Sequence, residues 1–420
     1  MRGAMLLSEL WRLTVSGRFC YSIKKAAFLL LGAKALAVAF IVGLWAPQTH
    51  AEPDVVGEAA LLMELHTGKV VWTKNENKRL APASTTKILT ALVALERSPL
   101  EQIVTVSDHA AATEGSSTYL RPGERISLED LLYAGLLQSG NDAAIAIAEG
   151  VAGSTEEFVR MMNETAQRLG AKDSSFLNPH GLPLKGHYTT AKDLALITRA
   201  AMQNPKFREI VGTRIRPWNG EGWKGTLVNH NRLLGDYKSA IGVKTGYTVE
   251  AGQCLVAAAR RGGATYLAVV LNSQSRAIWE DARGLLDYAF KNYAVLEFAK
   301  EGETVLIVDV DGRELPLDAA APVRYLVPRN RPAKPRYRIV LDELKPPIAE
   351  GEQLGEVVFG EGKRELRRVA LVAGADVQEP DSLHIIFWIG LVAALGIFIH
   401  RRRKRRHRFN RYRFSRRLRF

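Results

Sequence analysis

The chain has 420 residues, 47% of them hydrophobic and 24% charged, a balance that excludes wholesale disorder and allows one large core with a smaller second domain. Its formal charge of +14 is concentrated at the ends: residues 401–420 hold twelve Lys and Arg and no acid, residues 1–51 carry about +5, and removing both leaves the middle near −3. The folded middle therefore has no basic excess from which to build a nucleic-acid-binding face.

Residues 1–51 read as a signal peptide. A basic stretch ends at Lys24-Lys25, an apolar run broken only by Lys34 covers residues 26–45, and Thr49-His50-Ala51 ends in a small residue. This is the order of n-region, h-region and cleavage site, with Ala51 as the last leader residue; a retained N-terminal anchor is the alternative. Cleavage removes Cys20 and leaves Cys254 alone, so no internal disulfide is expected, and no Cys/His cluster suggests a metal.

Residues 59–65 and 70–72, separated by His66-Thr67-Gly68-Lys69, predict a β-hairpin. In the next segment, Pro82 and Ser84 are helix-start residues and the run after them is apolar on all sides, which predicts a buried helix. Ser84 and Lys87 stand three apart and share one face of it. A lysine one turn into a buried helix, near its positive end, is expected to lose its proton more easily than usual and so to accept the serine's. Taken alone, Ser-x-x-Lys also describes an N-cap serine followed by a surface lysine.

Farther on, Ser139-Gly140-Asn141 forms a polar knot between two helix-like apolar runs, and by itself it reads equally as an interhelix turn. His180 and His187 invite a Ser-His-Asp reading, but no Gly-x-Ser-x-Gly elbow surrounds a serine, and both fit better as loop-holding residues. In Val243-Lys244-Thr245-Gly246-Tyr247, Lys244 and Thr245 supply a charge and a hydroxyl suited to a carboxylate, and Gly246 admits a ligand backbone; a strand edge with a glycine bulge is the structural alternative. Residues 254–259 and 266–271 predict two strands joined at Arg261-Gly262-Gly263, with Cys254 as a buried structural thiol. Ile278, Ala282, Leu285, Leu286, Ala289 and Phe290 recur at helical spacing. Strands at both ends with helices between them imply an α+β layer fold around one antiparallel sheet, spanning residues 52–298.

After residue 300 the helical period fades. Residues 305–308, 337–341, 357–359 and 369–372, an Asp311-Gly312 turn and scattered prolines predict a small β-rich domain over 299–378. An uncharged apolar run over residues 385–399 predicts a transmembrane helix at 383–400, and the basic run 401–420 behind it a cytoplasmic tail. Residues 52 to about 380 are then expected outside the cytoplasmic membrane. An RNA-binding arm is the competing reading of the tail.

Ser84-x-x-Lys87, Ser139-x-Asn141 and Lys244-Thr245-Gly246, in that order, form the signature set of penicillin-binding proteins and class A β-lactamases, and the conjunction outweighs each motif alone. With the longer strings Pro82-Ala83-Ser84-Thr85-Thr86-Lys87, Ser139-Gly140-Asn141-Asp142-Ala143-Ala144, Asn178-Pro179-His180-Gly181-Leu182 and Lys244-Thr245-Gly246-Tyr247-Thr248, residues 55–375 resemble the D-alanyl-D-alanine carboxypeptidases of the low-molecular-weight penicillin-binding type, peptidase family S11. The resemblance implies the serine β-lactamase/DD-peptidase-like fold and a cofactor-free, metal-free serine enzyme. It also implies two partners: peptidoglycan stem peptides ending in D-Ala-D-Ala, and β-lactams as covalent inhibitors. It assigns Ser84 as nucleophile, Lys87 as base, Ser139 as proton relay and Asn141 as holder of the substrate amide. Lys244 and Thr245 would bind the terminal carboxylate, Gly246 and Tyr247 would complete the substrate strand, and the Ser84 and Tyr247 N–H groups would form the oxyanion hole.

Two departures stand out. Ile241 occupies a position that carries an acid or hydroxyl in many relatives, and the chain ends in an apolar run with a basic tail where relatives often have an amphipathic helix. A β-lactamase is disfavoured because no Glu-x-x-Leu-Asn string follows Asn141, and a non-catalytic wall-peptide or β-lactam receptor because Ser84 and Lys87 are both present.

Overall fold

The structure, a computed structural model, describes residues 52–330, 336–361, 364–379 and 382–414. The expected leader and the last six residues of the basic tail lie outside them. β1 (Ala59–Glu64) and β2 (Val70–Lys74) make the expected hairpin. A 3-10 turn (Ala83–Thr86) leads into α1 (Lys87–Arg97), followed by β3 (Ile103–Thr105), α2 (Asp108–Ala111) and β4 (Arg125–Ser127). The helical cluster continues with α3 (Leu128–Leu137), α4 (Asn141–Ala152), α5 (Thr155–Arg168), α6 (Ala191–Ala201) and α7 (Pro205–Gly212). Then come β5 (Ile215–Asn219), β6 (Lys224–Val228), α8 (Leu233–Asp236), β7 (Ala240–Thr248), β8 (Gly252–Arg261), β9 (Ala264–Ser273) and α9 (Ala277–Asn292).

The two ends of this region pair as the strand order suggested. One antiparallel sheet runs β2-β1-β9-β8-β7, with Leu61 opposite Val269 and Val256 opposite the same residue on the other side. β1 is buried along its whole length, and α1 is buried from Lys87 to Ala94, so the core lies where the sheet meets the helices around α1. Helix starts follow local chemistry. Ser127, Ser154 and Thr190 each accept an N–H of the first turn of α3, α5 and α6, and Asn204 caps α7 with Pro205 behind it.

The β-rich region holds β10 (Tyr293–Ala299), β11 (Thr304–Val310), β12 (Arg313–Ala319), β13 (Val323–Pro328), β14 (Arg336–Leu341), β15 (Gln353–Glu361) and β16 (Arg364–Ala373). β10 pairs with β13, the other five form a sheet ordered β11-β12-β16-β15-β14, and a separate core contains Leu315, Leu317, Val357, Phe359 and Leu371. The Asp311-Gly312 turn joins β11 to β12 as expected. Sequence reading missed β10, β12 and β13 and the hairpin β5–β6. Pro217 and Pro316 interrupt their patterns, and several of these strands are half exposed.

The C-terminal expectation needs correction. Residues 383–400 belong to a longer helix, α10 (Ser382–Phe414), and among the described residues no helix is long and apolar enough to cross a membrane. The apolar run ends at Ile399, and Arg401-Arg402-Arg403-Lys404 continue the same helix. Fifteen apolar residues at 1.5 Å each reach only about 22 Å, short of a hydrocarbon layer of about 30 Å.

Candidate active site

Ser84 lies in the 3-10 turn, one residue after Ala83, which holds φ at +48°. It is not an N-cap: α1 starts at Lys87, and the Ser84 hydroxyl makes no capping bond. Three residues on, the Lys87 amine lies 3.1 Å from Ser84 Oγ, 2.7 Å from Asn141 Oδ1 and 2.8 Å from the His180 carbonyl oxygen. Lys87 is 2% exposed. Burial pushes its pKa well below the ordinary lysine value, the charge of Lys244 pushes the same way, and only Asp142 opposes them. A neutral amine has two N–H donors and one lone pair. Asn141 and His180 are pure acceptors at the contacting oxygens and take the two N–H bonds, which leaves the lone pair for the Ser84 hydroxyl.

Asn141 opens α4, and its Nδ2 donates to Glu114 O at 2.7 Å, fixing which end of the amide faces Lys87. Next to it, the fully buried Asp142 carboxylate accepts from Thr118 N, Leu120 N, Ala143 N and the hydroxyls of Ser117 and Thr118. The segment around Ser116–Leu120 is thereby tied to the start of α4. Ser139, buried and at φ +63°, lies just before this helix.

The third motif lies on β7, the edge of the sheet, where alternate backbone groups have no strand partner. A Cβ on Gly246 would lie 2.8 Å from Ser84 N and 3.0 Å from both Ala83 Cβ and Thr85 N. Glycine is therefore what lets β7 run against the Ser84 turn. Lys244 is 1% exposed, donates to Thr245 O at 3.0 Å, and burial lowers its pKa to about 7. Ser84, Ser139, Thr245, Gly246 and Tyr247 line one cavity of about 760 Å³. Lys87 and Asn141, both buried, bond to each other beside Ser84, and buried Lys244 precedes Thr245 on β7, so the eight sequence-derived site residues lie in or next to this cavity. The cavity also takes in His230, Arg232, Arg276 and Trp279, which sequence reading missed because no short motif marks them.

The histidines are structural. His187 Nδ1 accepts from Leu177 N at 3.2 Å, so its Nε2 carries the proton and donates to Thr86 Oγ1 at 3.1 Å; Thr86 in turn donates to Ala83 O. His180 Nδ1 accepts from Leu182 N. Burial lowers the two rings to about 4 and about 3, respectively. Neither ring bonds to Ser84. Cys254 is buried and its pKa is raised to about 12 by burial, as expected for an inert thiol. Ile241 is half-buried and packs against the main core, so apolar contact stands at that position.

A hydroxyl facing a desolvated lysine amine, beside an edge strand with a carboxylate-suited lysine, defines a serine acyl-transfer site. Comparison with known proteins agrees. Residues 46–275 match the family model described as D-alanyl-D-alanine carboxypeptidase, and residues 290–379 match that of the penicillin-binding protein 5 C-terminal domain. The chain is 35% identical to the D-alanyl-D-alanine carboxypeptidase DacF of Bacillus subtilis over 77% of its own length and 86% of that protein's. It is 32% identical to DacC of Escherichia coli, over 80% and 87% of the two chains. Among solved structures, penicillin-binding protein 5 from Haemophilus influenzae superposes with a TM-score of 0.66 at 26% identity, covering 79% of this chain and 100% of that one. The chain belongs to the D-alanyl-D-alanine carboxypeptidase family, peptidase family S11, and is a serine hydrolase.

Proposed function

We propose that the enzyme removes the terminal D-alanine from peptidoglycan stem peptides through an acyl-enzyme on Ser84. The observation that carries this reading is the 3.1 Å contact between Ser84 Oγ and the buried Lys87 amine. Lys87, neutral, takes the Ser84 proton as Oγ attacks the carbonyl carbon of the penultimate D-alanine. The N–H groups of Ser84 and Tyr247 receive the developing oxyanion, and Lys244 and Thr245 hold the terminal carboxylate. The proton on Lys87 passes by way of Ser139 to the leaving amine, and D-alanine departs. Water then attacks the ester, gives a proton to the same lysine, and frees Ser84. Asn141 holds the substrate amide while keeping Lys87 in place.

Penicillin enters the same first step: its four-membered amide opens on Ser84, and deacylation is slow because the sequence has no lactamase-type Glu-x-x-Leu-Asn string after Asn141. The test is mass spectrometry of the protein after penicillin exposure, with D-alanine release from a D-Ala-D-Ala peptide measured alongside. An adduct on Ser84 and release of D-alanine are expected. An adduct without release favours the receptor reading, and rapid penicillin hydrolysis favours a lactamase.

The site is further proposed to work outside the cytoplasmic membrane, with the chain attached to it through α10. The apolar side chains of α10 from Phe387 to Ile399 are exposed, and an arginine run follows them. Protease added to intact protoplasts should digest the catalytic domain; protection would refute the topology.

A further inference from the structure

A second cleft of about 800 Å³ shares no lining residue with the catalytic cavity. β8 reaches both: Gln253 lines the catalytic cavity and Arg260 lines the cleft, seven residues and about 23 Å farther along the strand. Arginines from four elements meet there, Arg199 on α6, Arg208 on α7, Arg260 on β8 and Arg324 on β13.

Among the described residues, most of this charge has no acid paired with it. Arg199 donates to the Leu65 and His66 carbonyls at 2.8 and 3.1 Å, and Arg208 to those of Met202 and Gln203, both at 2.8 Å. Carbonyls fix a guanidinium without cancelling its charge. Arg260 is exposed, and among the described residues its side chain makes no hydrogen bond or ion pair. Only Arg324 is balanced, by Glu297 at 2.8 Å. Glu301 is the one acid among the lining residues, so the cleft carries about +2. Thr265 lines the same cleft, is 1% exposed, and its hydroxyl has no hydrogen-bond partner among the described residues.

We infer that this cleft binds a phosphate-bearing anion. A phosphate group at neutral pH carries about −1.5 to −2, which matches the uncompensated charge, and its oxygens accept from several guanidiniums at once. A single carboxylate would leave half the charge unmet. The group can arrive as a soluble phosphate or as an anionic phospholipid headgroup.

The test uses the full chain with inorganic pyrophosphate as the calorimetric probe and acetate as the control. Arg260 is exposed and supports no other residue, so Arg260→Ala leaves the fold intact. Pyrophosphate is expected to bind and acetate not to. Arg260→Ala is expected to weaken pyrophosphate by about tenfold, with D-alanine release unchanged. Vesicles of phosphatidylglycerol then separate the sources: binding weakened by Arg260→Ala assigns a headgroup, and vesicle binding indifferent to it, beside weakened pyrophosphate, assigns a soluble phosphate. No pyrophosphate binding, equal acetate binding, or affinity unchanged in Arg260→Ala overturns the inference, the last because the arginine-rich end of α10 would then be the binder. Loss of the catalytic reading would leave this outcome untouched, since the two sites share no residue.

Discussion

Adding one methyl group at Gly246 tests how tightly the acyl-transfer site is assembled. The new carbon of Gly246→Ala would sit 2.8 Å from Ser84 N and 3.0 Å from Ala83 Cβ and Thr85 N. Ordinary contacts of this kind lie near 3.5 Å, so strand and turn must separate by about 0.5–0.7 Å. The turn has little room to withdraw: a Cβ on Gly181 would come within 1.9 Å of Ala83 O, so a second backbone already presses on it from another side. β7 must therefore move, taking the Tyr247 N–H and Lys244 with it. Overpacking of this size costs about 1–3 kcal/mol, and a misplacement approaching 1 Å slows a positioned reaction by about a hundredfold. The assay is kcat/KM for D-alanine release, with the penicillin acylation rate and Tm measured in parallel. Both rates should fall by about ten- to a hundredfold. Full activity together with an unchanged Tm would show that β7 does not need its close approach to Ser84, and the proposed oxyanion hole would fail with it.

Four further outcomes follow from the same geometry. Ser84→Ala should abolish both penicillin labelling and turnover with little change in Tm, whereas Lys87→Ala should lower acylation by orders of magnitude; retention of most activity would remove Lys87 as the base. In the parent, the acylation rate should rise with pH as Lys87 loses its proton, and that limb should lie well below the ordinary lysine range because burial favours the neutral amine. Lys244 is held near 7 against an ordinary 10.5, so it costs stability fully below about pH 7, and the cost fades as pH rises toward 10.5. Lys244→Met should therefore raise Tm near neutrality, with the gain shrinking toward about pH 10, while weakening substrates that carry a free carboxylate. His187 falls from 6.5 to about 4 in the fold, so the stability it supports should be lost as pH drops through that window. His187→Gln should flatten this loss and should destabilise the protein at neutral pH by about 1–3 kcal/mol through the broken Thr86 and Leu177 bonds. A variant with parental stability at both pH values would contradict the structural role given to the ring.

Much of this molecule is written in local patterns. The spacing of Ser84 and Lys87 fixes them on one face of a turn wherever that turn packs, and the β1–β2 and β8–β9 hairpins follow from short apolar runs around glycine-containing turns. The order of the three motifs was enough to name the reaction class. Distance along the chain limited the rest. The buried helix already implied a desolvated Lys87, but that the His180 carbonyl, 93 residues away, takes one of its N–H bonds and that Lys244 presses on it electrostatically are facts about segments meeting in space. The β5–β6 hairpin stayed hidden because Pro217 breaks its pattern and the pairing partner, not the strand itself, makes it a strand. Likewise the apolar run before the basic tail predicts a span, while the helix it enters continues through arginines. Sequence determined which residue types stand at which spacing, and with them the class of reaction, since residue type and local spacing are covalent facts. Tertiary structure decided their neighbours and the charges that act on them, because contact between distant segments exists only once they are packed together.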